Sequence, residues 1–434
     1  MLVKYKNQGI HILIKTIVIS EFSAIKKASD YDLPIDSFAE IFVSDTAFLR
    51  IKDLVFTYAN DLLFTYSVQR GKEQIKVKNY VGLIPVSDTI QIEILPKSTA
   101  DSPKEARRIL LKMLQKIPAY QSLSKAHLAI SNLPLLEIYV KAFLDELEKL
   151  LSTGLGRNYE HIEANETFIK GKVLIAENIH RNLLKQHSIF IAYDDFMHDI
   201  PQNRILKTCL HRLKNYSFTN FTKQRIWQNL SVFDEISLSA NLQQDFTKSN
   251  TVSPHFERYE NLLQWAWVFL NEHSFLPFSG NYSQISLLFP MEVLFENYVG
   301  KLFQKYAGSD FSIRLQDRRK HLVLKHKENA RFRMIPDIVA ENNAGEIWIF
   351  DAKWKVIDAS KPRQNYGIEQ ADLYQMYAYG KKYQAKKLFL IYPANENFRN
   401  PLEVFDYDED LVLHVMPFNL MNEGEEEVRK IMCP

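Results

Sequence analysis

The chain has 434 residues, 46% hydrophobic and 24% charged, which is the balance of a soluble globular protein too long for one ordinary core, so two or three domains are expected. Its 54 Lys and Arg nearly cancel 52 Asp and Glu, which argues against a protein whose main work is coating DNA non-specifically. Two cysteines, Cys209 and Cys433, exclude a disulfide framework or a cysteine-rich zinc site.

No stretch approaches the roughly 20 uninterrupted apolar residues of a membrane span. The opening "MLVKYKNQGIHILIKTIVIS" is apolar but alternating and broken by lysines, so it reads as strands and not as a signal peptide. A cytoplasmic protein without membrane association is expected.

Residues 1 to about 100 read as β-rich. In "DTIQIEILPKS", Ile90, Ile92 and Ile94 fall on one face of a strand. "SPKE" at 102–105 offers a helix start, with Ser102 as N-cap, Pro103 in the first turn and Glu105 completing a capping box. A second helix, "LLEIYVKAFLDELEKLLSTG", stops at Gly154. Between about 155 and 280 the clear signals are the amphipathic helices "NRILKTCLHRLKNY" and "RYENLLQWAWVFLNEHS". The last section opens with the helix "FPMEVLFENYVGKLFQKYA" and passes through the basic stretch "RLQDRRKHLVLKHKENARFR" (314–333). It then reaches the hairpin "PDIVAENNAGEIWIFDAKWK" (336–355), a helix "GIEQADLYQMYAYGKKY" and a strand "KLFLIYP". Helix, hairpin, helix, strand is a mixed α/β order. The expected fold class is α+β and multidomain, with a β-rich N-terminal part (1–155), a mainly helical middle (156–280) and a C-terminal α/β part (281–434) around a mixed sheet.

The hairpin carries the chemistry. Ile347, Ile349, Asp351, Lys353 and Lys355 share one strand face, which starts apolar and turns ionic. If "ENNAG" or its central three residues form the turn, Asp337 lies on the face of Asp351. A three-residue loop 343–345 sets the two carboxylates directly opposite each other. Like charges so placed repel, and a hard, oxygen-preferring cation such as Mg²⁺ removes the conflict. Lys353 then stands beside the ion, able to polarise an attacking water and to stabilise developing negative charge. A surface salt-bridge cluster is the competing reading of the same three residues.

Two helices add candidates. Asp372, Gln375, Met376 and Tyr379 fall on one helical face, so Gln375 and Tyr379 either touch substrate phosphate or metal-bound water, or simply rim and fill the core. Glu296, among apolar neighbours, is a third acidic ligand or a solvent-facing glutamate, and Glu292 is its rival one turn earlier.

Pro336-Asp337 followed by Asp351-Ala352-Lys353 resembles the PD-(D/E)xK nuclease superfamily, and Gln375-x-x-x-Tyr379 looks like the additional motif of its RecB-like branch. More narrowly, most of the chain resembles the McrC family, the nuclease subunit of McrBC-type modification-dependent restriction systems. The supporting stretches are "YVGLIPVSDTIQIEILPK" (80–97), "RNYEHIEANETFIKGKVLIAENI" (157–179) and "NRILK" (203–207). The resemblance implies a PD-(D/E)xK nuclease domain at 281–434 that cuts DNA with Mg²⁺ or Mn²⁺. Asp337, Asp351 and Glu296 become metal ligands, Lys353 the catalytic lysine, and Gln375 with Tyr379 the supporting pair. It also implies a partner, an McrB-like hexameric AAA+ GTPase engaged and stimulated through the N-terminal region, and double-stranded DNA carrying modified bases as substrate. The chain has no G-x-x-x-x-G-K-[ST] phosphate loop, so nucleotide hydrolysis is not assigned to it. Two other readings are a non-catalytic activator of a AAA+ motor and a free-standing RecB-like nuclease.

Overall fold

A computed structural model describes residues 15–37, 40–57, 63–87, 90–97, 102–117, 120, 123, 130–183, 187–249, 254–271 and 287–433. The strands expected over 1–14 and the end of the helix expected to reach Ser274 lie outside the described residues. The chain divides into two compact units; described residues between 15 and 138 join those between 275 and 434 in one, and 139–274 supply the other. Two stretches separated in the sequence reading, the N-terminal and C-terminal parts, thus share a unit.

The N-terminal stretch is β-rich. It contains β1 (Lys15–Ser20), β2 (Ala24–Lys27), β3 (Glu40–Val43), α1 (Asp45–Thr57), β4 (Phe64–Gln69), β5 (Lys72–Val77), β6 (Tyr80–Ser87) and β7 (Ile90–Leu95). Strands β3-β2-β5-β4 form one sheet, and β1-β7-β6 form most of another. Ile90, Ile92 and Ile94 alternate as expected, yet β7 is buried on both faces and takes Glu93 inside with it. That carboxylate is held by both arms of the Arg107 guanidinium on α2 (Pro103–Leu114), and a buried charge needs such a partner. The start of α2 is as the sequence predicts, with Ser102 Oγ accepting from Glu105 N at 3.3 Å.

Helix α3 (Leu135–Ser152) leads to Gly154, whose φ of +86° is the left-handed conformation favoured after a helix. Next come β8 (Asn158–Glu166), β9 (Lys172–Val173), α4 (Ile175–Asn182) and β10 (Ile189–Met197), the strands pairing in the order β8-β10-β9. This sheet adds strands to a stretch, 156–280, whose described elements are otherwise mainly helical. Among the described residues β8 buries none and β10 buries only the consecutive Phe190, Ile191 and Ala192, so no apolar alternation announces them. The expected helices follow: α5 (Pro201–Leu213), α6 (Asn220–Val232), α7 (Leu242–Ser249) and α8 (Glu260–Leu270). Asn203, from "NRILK", is fully buried and knits this unit. Its amide donates to Gly156 O at 3.0 Å and His198 O at 2.8 Å, and its oxygen accepts from the Tyr259 hydroxyl at 2.8 Å.

The C-terminal stretch returns to the first unit. Strand β11 (Leu288–Pro290) completes the sheet β1-β7-β6-β11 and runs straight into α9 (Met291–Tyr306). Then come β12 (Phe311–Leu315), β13 (His321–His326), β14 (Asn329–Arg333), β15 (Ile338–Asn342), β16 (Ile347–Ala352), α10 (Gln370–Tyr383), β17 (Lys387–Pro393), β18 (Phe405–Asp408), β19 (Leu411–Phe418) and α11 (Gly424–Met432). Six strands form a mixed sheet, β12-β15-β16-β17-β19-β18, with β16, β17 and β19 mutually parallel. On one face Phe303 of α9 packs 4.8 Å from Phe350, which stacks on Phe389 at 4.5 Å. On the other, Met376 and Tyr379 of α10 join Val339, Ile349, Leu388 and Leu390 in one cluster. The strand ends therefore emerge between two helices, where irregular chain can carry polar side chains. No helix among the described residues is long and apolar enough to cross a membrane.

Gly82, within the stretch 80–97, holds the join between β6 and β11. Its φ is +127°, and a Cβ there would meet Leu287 O at 1.9 Å. Gly82→Ala is expected to cost roughly 3 kcal/mol, read as a lowered denaturant midpoint. Gly71→Ala, at a turn with open space around it, should cost about 1 kcal/mol; equal losses at the two positions would contradict this account.

Candidate active site

Strands β15 and β16 pair with Val339 opposite Ile349 and Glu341 opposite Ile347. Asn342 closes the hairpin. Its N–H donates to Glu346 O at 3.0 Å, and its side-chain oxygen accepts from Ala344 N and Glu346 N. The loop is therefore 343–345, the three-residue case that sets the two carboxylates face to face. Continuing the register past Ile338 and Phe350 brings Asp337 opposite Asp351.

Both carboxylates are buried, Asp351 to 1% exposure. Asp337 is fixed at both ends: its carbonyl accepts from Gln316 N at 2.8 Å, and its Oδ2 accepts from Ala352 N at 2.9 Å. Lys353 N donates to Ile391 O at 2.9 Å, extending the pairing with β17, and Lys353 Nζ stands 2.5 Å from Asp351 Oδ2. Glu296 reaches the same place from α9. Burial raises its pKa to about 7, with Lys353 opposing and Asp351 and Glu292 adding to the rise. Of the two helix acids, Glu296 is the one that Asp337 and Lys353 sense, whereas Glu292 is exposed.

The charges explain one another. Burial, then Asp351 and Glu296, hold Asp337 well above the usual carboxylate range. Burial likewise raises Asp351, against the pull of Lys353. Burial disfavours the Lys353 ammonium, but Asp351, Asp337 and Glu296 outweigh it, and the group stays above the ordinary lysine value. The three acids thus favour the charged form of Lys353.

Gln375 and Tyr379 come together as their spacing implies: Gln375 Nε2 donates to Tyr379 Oη at 2.8 Å. The Tyr379 hydroxyl donates in turn to Ile335 O at 3.1 Å, so this pair, Tyr379 buried and Gln375 half-buried, braces the segment entering Asp337. Three neighbours escaped the sequence reading. Lys355 Nζ pairs with Asp372 at 2.9 Å beside Asp351; its signal was its place on the Asp351 face. Tyr392 Oη donates to Asp372 Oδ2 at 3.4 Å. Glu21, fully buried after β1, accepts from Trp354 Nε1 at 2.8 Å and Lys97 N at 3.0 Å, and burial raises its pKa to about 7. A contact spanning 333 positions has no local signal.

The donors are all oxygens, converging from two strands and a helix, and they raise one another's pKa; such a set fits a hard divalent cation. Among the described residues, no three His, Cys, Asp or Glu side chains stand ready-grouped around a metal position. The positive charge at Asp351 is the Lys353 ammonium.

A family model for the McrBC 5-methylcytosine restriction system component matches residues 75–393. No curated protein matches the sequence. Among solved structures, a chain from the refined half-complex of a tetradecameric assembly of Thermococcus gammatolerans McrB AAA+ hexamers with bound McrC is similar. The TM-score is 0.66 at 16% identity, over 96% of this chain and 99% of that one, a likeness of fold. A chain from the cryo-EM structure of the Thermococcus gammatolerans McrBC complex is similar over 68% of this chain and 89% of its own, at 18% identity and a TM-score of 0.47.

The raised acids give the metal-free protein a pH signature. Glu296 and Glu21 ordinarily titrate at 4.5 and do so at about 7 when folded, so folding takes up protons between those values. Their contribution is most favourable below about pH 4.5 and is lost as pH rises through about 7. Denaturant titrations should show stability falling across this window, with a shallower fall in Glu296→Gln. An unchanged slope in that variant would show that Glu296 is not held protonated.

Proposed function

The chain belongs to the family of McrBC 5-methylcytosine restriction system components, and we propose that it is the system's DNA-cutting subunit, an McrC-type PD-(D/E)xK endonuclease. The observation that carries this is the pair of buried, directly opposed carboxylates, Asp337 and Asp351, with Lys353 at 2.5 Å from the second. Burying two like charges against each other is unfavourable, and function accounts for a cost that folding alone does not.

On this reading Asp337, Asp351 and Glu296 hold Mg²⁺ or Mn²⁺, which when bound supplies Lewis acidity toward water and the scissile phosphodiester. Lys353 keeps its proton at working pH, so it serves as a fixed cation that orients the attacking water and meets negative charge developing on phosphate. Gln375 and Tyr379 act by holding Ile335 and hence Asp337 in place.

Lack of a phosphate loop supports assigning nucleotide hydrolysis to another chain. The similar structure combines McrB AAA+ hexamers with McrC. By analogy the partner here is an McrB-like AAA+ GTPase hexamer that reads modified bases in double-stranded DNA. The N-terminal region, 1–155, engages and stimulates it, and the nuclease domain over 281–434 cuts. Because 15–138 and 275–434 share one compact unit, truncation would strip the core, and point substitutions separate these roles better.

With partner, GTP and Mg²⁺ present, Asp351→Ala is expected to lower cleavage roughly 100-fold or more while GTP hydrolysis stays stimulated. Lys353→Ala should lose cleavage to a similar extent yet still bind Mg²⁺, followed by titration calorimetry. Wild-type cleavage by Asp351→Ala would refute the nuclease assignment.

A further inference from the structure

We propose that the ribbon β13–β14 is the element by which this chain grips duplex DNA, with Lys327, Arg331 and Arg333 on the phosphates beside the cutting site. The inference rests on the nuclease reading above and adds the binding residues that reading leaves open.

The ribbon pairs with no other strand among the described residues. It forms its own two-stranded sheet, inserted between β12 and β15. An isolated hairpin is marginally stable in water, so its root must be held, and it is. Buried Asp317 accepts from Arg319 N at 2.9 Å and pairs with the Arg319 and Arg314 guanidiniums. Met334, buried in the cluster beneath α10, donates its N–H to Lys320 O at 3.0 Å. Three residues after Met334 the chain reaches Asp337. The same packing that fixes the carboxylate therefore fixes the ribbon.

Its surface is unlike a packing surface. From 318 to 333 the sequence carries seven Lys or Arg against one acid, Glu328. Lys325 pairs loosely with Glu328 at 3.6 Å, and Arg319 is committed to Asp317. Arg318, Lys320, Lys327, Arg331 and Arg333 have no acidic partner among the described residues. His321 lies opposite Arg333 and Val323 opposite Arg331, so Arg331 and Arg333 share a face. The other face offers Leu324 and Phe332, exposed by 78% and 73%. One face is bare and the other keeps Arg331 and Arg333 exposed opposite half-buried Val323 and His321, which suits the ribbon to insertion. Six residues reach about 20 Å, and a two-stranded ribbon fits the major groove, about 12 Å wide.

The turn fits the same purpose. Lys327 and Glu328 link His326 to its partner Asn329 with φ of +47° and +73°, a two-residue hairpin loop that usually takes Asn-Gly. Retaining side chains there costs on the order of 1 kcal/mol each and puts an ammonium at the tip. Charge complementarity selects a polyanion as the occupant, and the ribbon's continuity with the carboxylate site selects the duplex being cut.

The test uses the full-length chain without Mg²⁺ and a fluorescent duplex of about 30 base pairs, titrated by anisotropy between about 50 and 200 mM salt. Each phosphate contact adds about 0.9 to the slope of log affinity against log salt. The triple variant Lys327→Ala/Arg331→Ala/Arg333→Ala should lower that slope by about 2 to 3 and weaken binding at least tenfold near 0.1 M salt. Arg331→Lys/Arg333→Lys, which keeps the charges, should keep the slope. An unchanged slope in the triple variant overturns the proposal. So does intact duplex binding with lost stimulation of the partner, which would make the ribbon a protein-docking element. Neither outcome touches the nuclease reading, whose own test is cleavage by Asp351→Ala.

Discussion

The carboxylates of Asp337 and Asp351, buried opposite one another across two antiparallel strands, are the constraint around which this part of the molecule is arranged. A protein interior tolerates such a pair only by protonation or by a countercharge. Lys353 supplies one positive charge through its contact with Asp351. Asp337 receives no cation of its own, only the amide of Ala352, and its pKa rises. The acids and the lysine thus form one coupled charge group, and no member's protonation can be assigned without the others.

Fixing that group demands rigidity on every side. The three-residue loop held by Asn342 sets the register, pairing with β17 carries Lys353, and the Gln375–Tyr379 pair braces the entry to Asp337. Trp354, next after Lys353, is held by Glu21 from the opposite end of the sequence and packs 5.3 Å from Phe295, the neighbour of Glu296. One tryptophan therefore ties the lysine strand to the helix that brings the third acid. This explains physically why 15–138 belongs to the same compact unit as the site: the N-terminal strands are part of its foundation.

How much of this was legible depended on the range of the interaction. Alternation, caps and loop length are local, so β7, the start of α2, the 336–355 hairpin and the face shared by Gln375 and Tyr379 could be read directly. The approach of Glu296 could be offered only as one of two choices, because a helix's rotation about its axis is set by packing and not by its own sequence. The contact of Glu21 with Trp354 and the buried Glu93–Arg107 pair are tertiary, and composition held no trace of them. The β8-β10-β9 sheet escaped for a different reason. Among the described residues β8 buries none and β10 buries only the consecutive Phe190, Ile191 and Ala192, and hydrophobic periodicity reports alternating burial, not strand conformation.

Charge is distributed to match. The chain is close to neutral overall, at +2, yet Asp337, Asp351 and Glu296 converge in a buried pocket and seven Lys or Arg lie over 318–333, the ribbon that leads into it and its root. A uniformly basic surface would hold any duplex anywhere, and affinity of that kind rises with every phosphate neutralised. An anchored ribbon with only a few unpaired cations limits the number of phosphates that it can engage at once. On the proposed reading, such a nuclease holds DNA weakly by itself but holds it in one place relative to Asp337. The remaining affinity must come from a partner, and that makes cutting conditional on the partner's choice of site. Weak but well-placed binding is what a subunit needs when another protein decides where it acts.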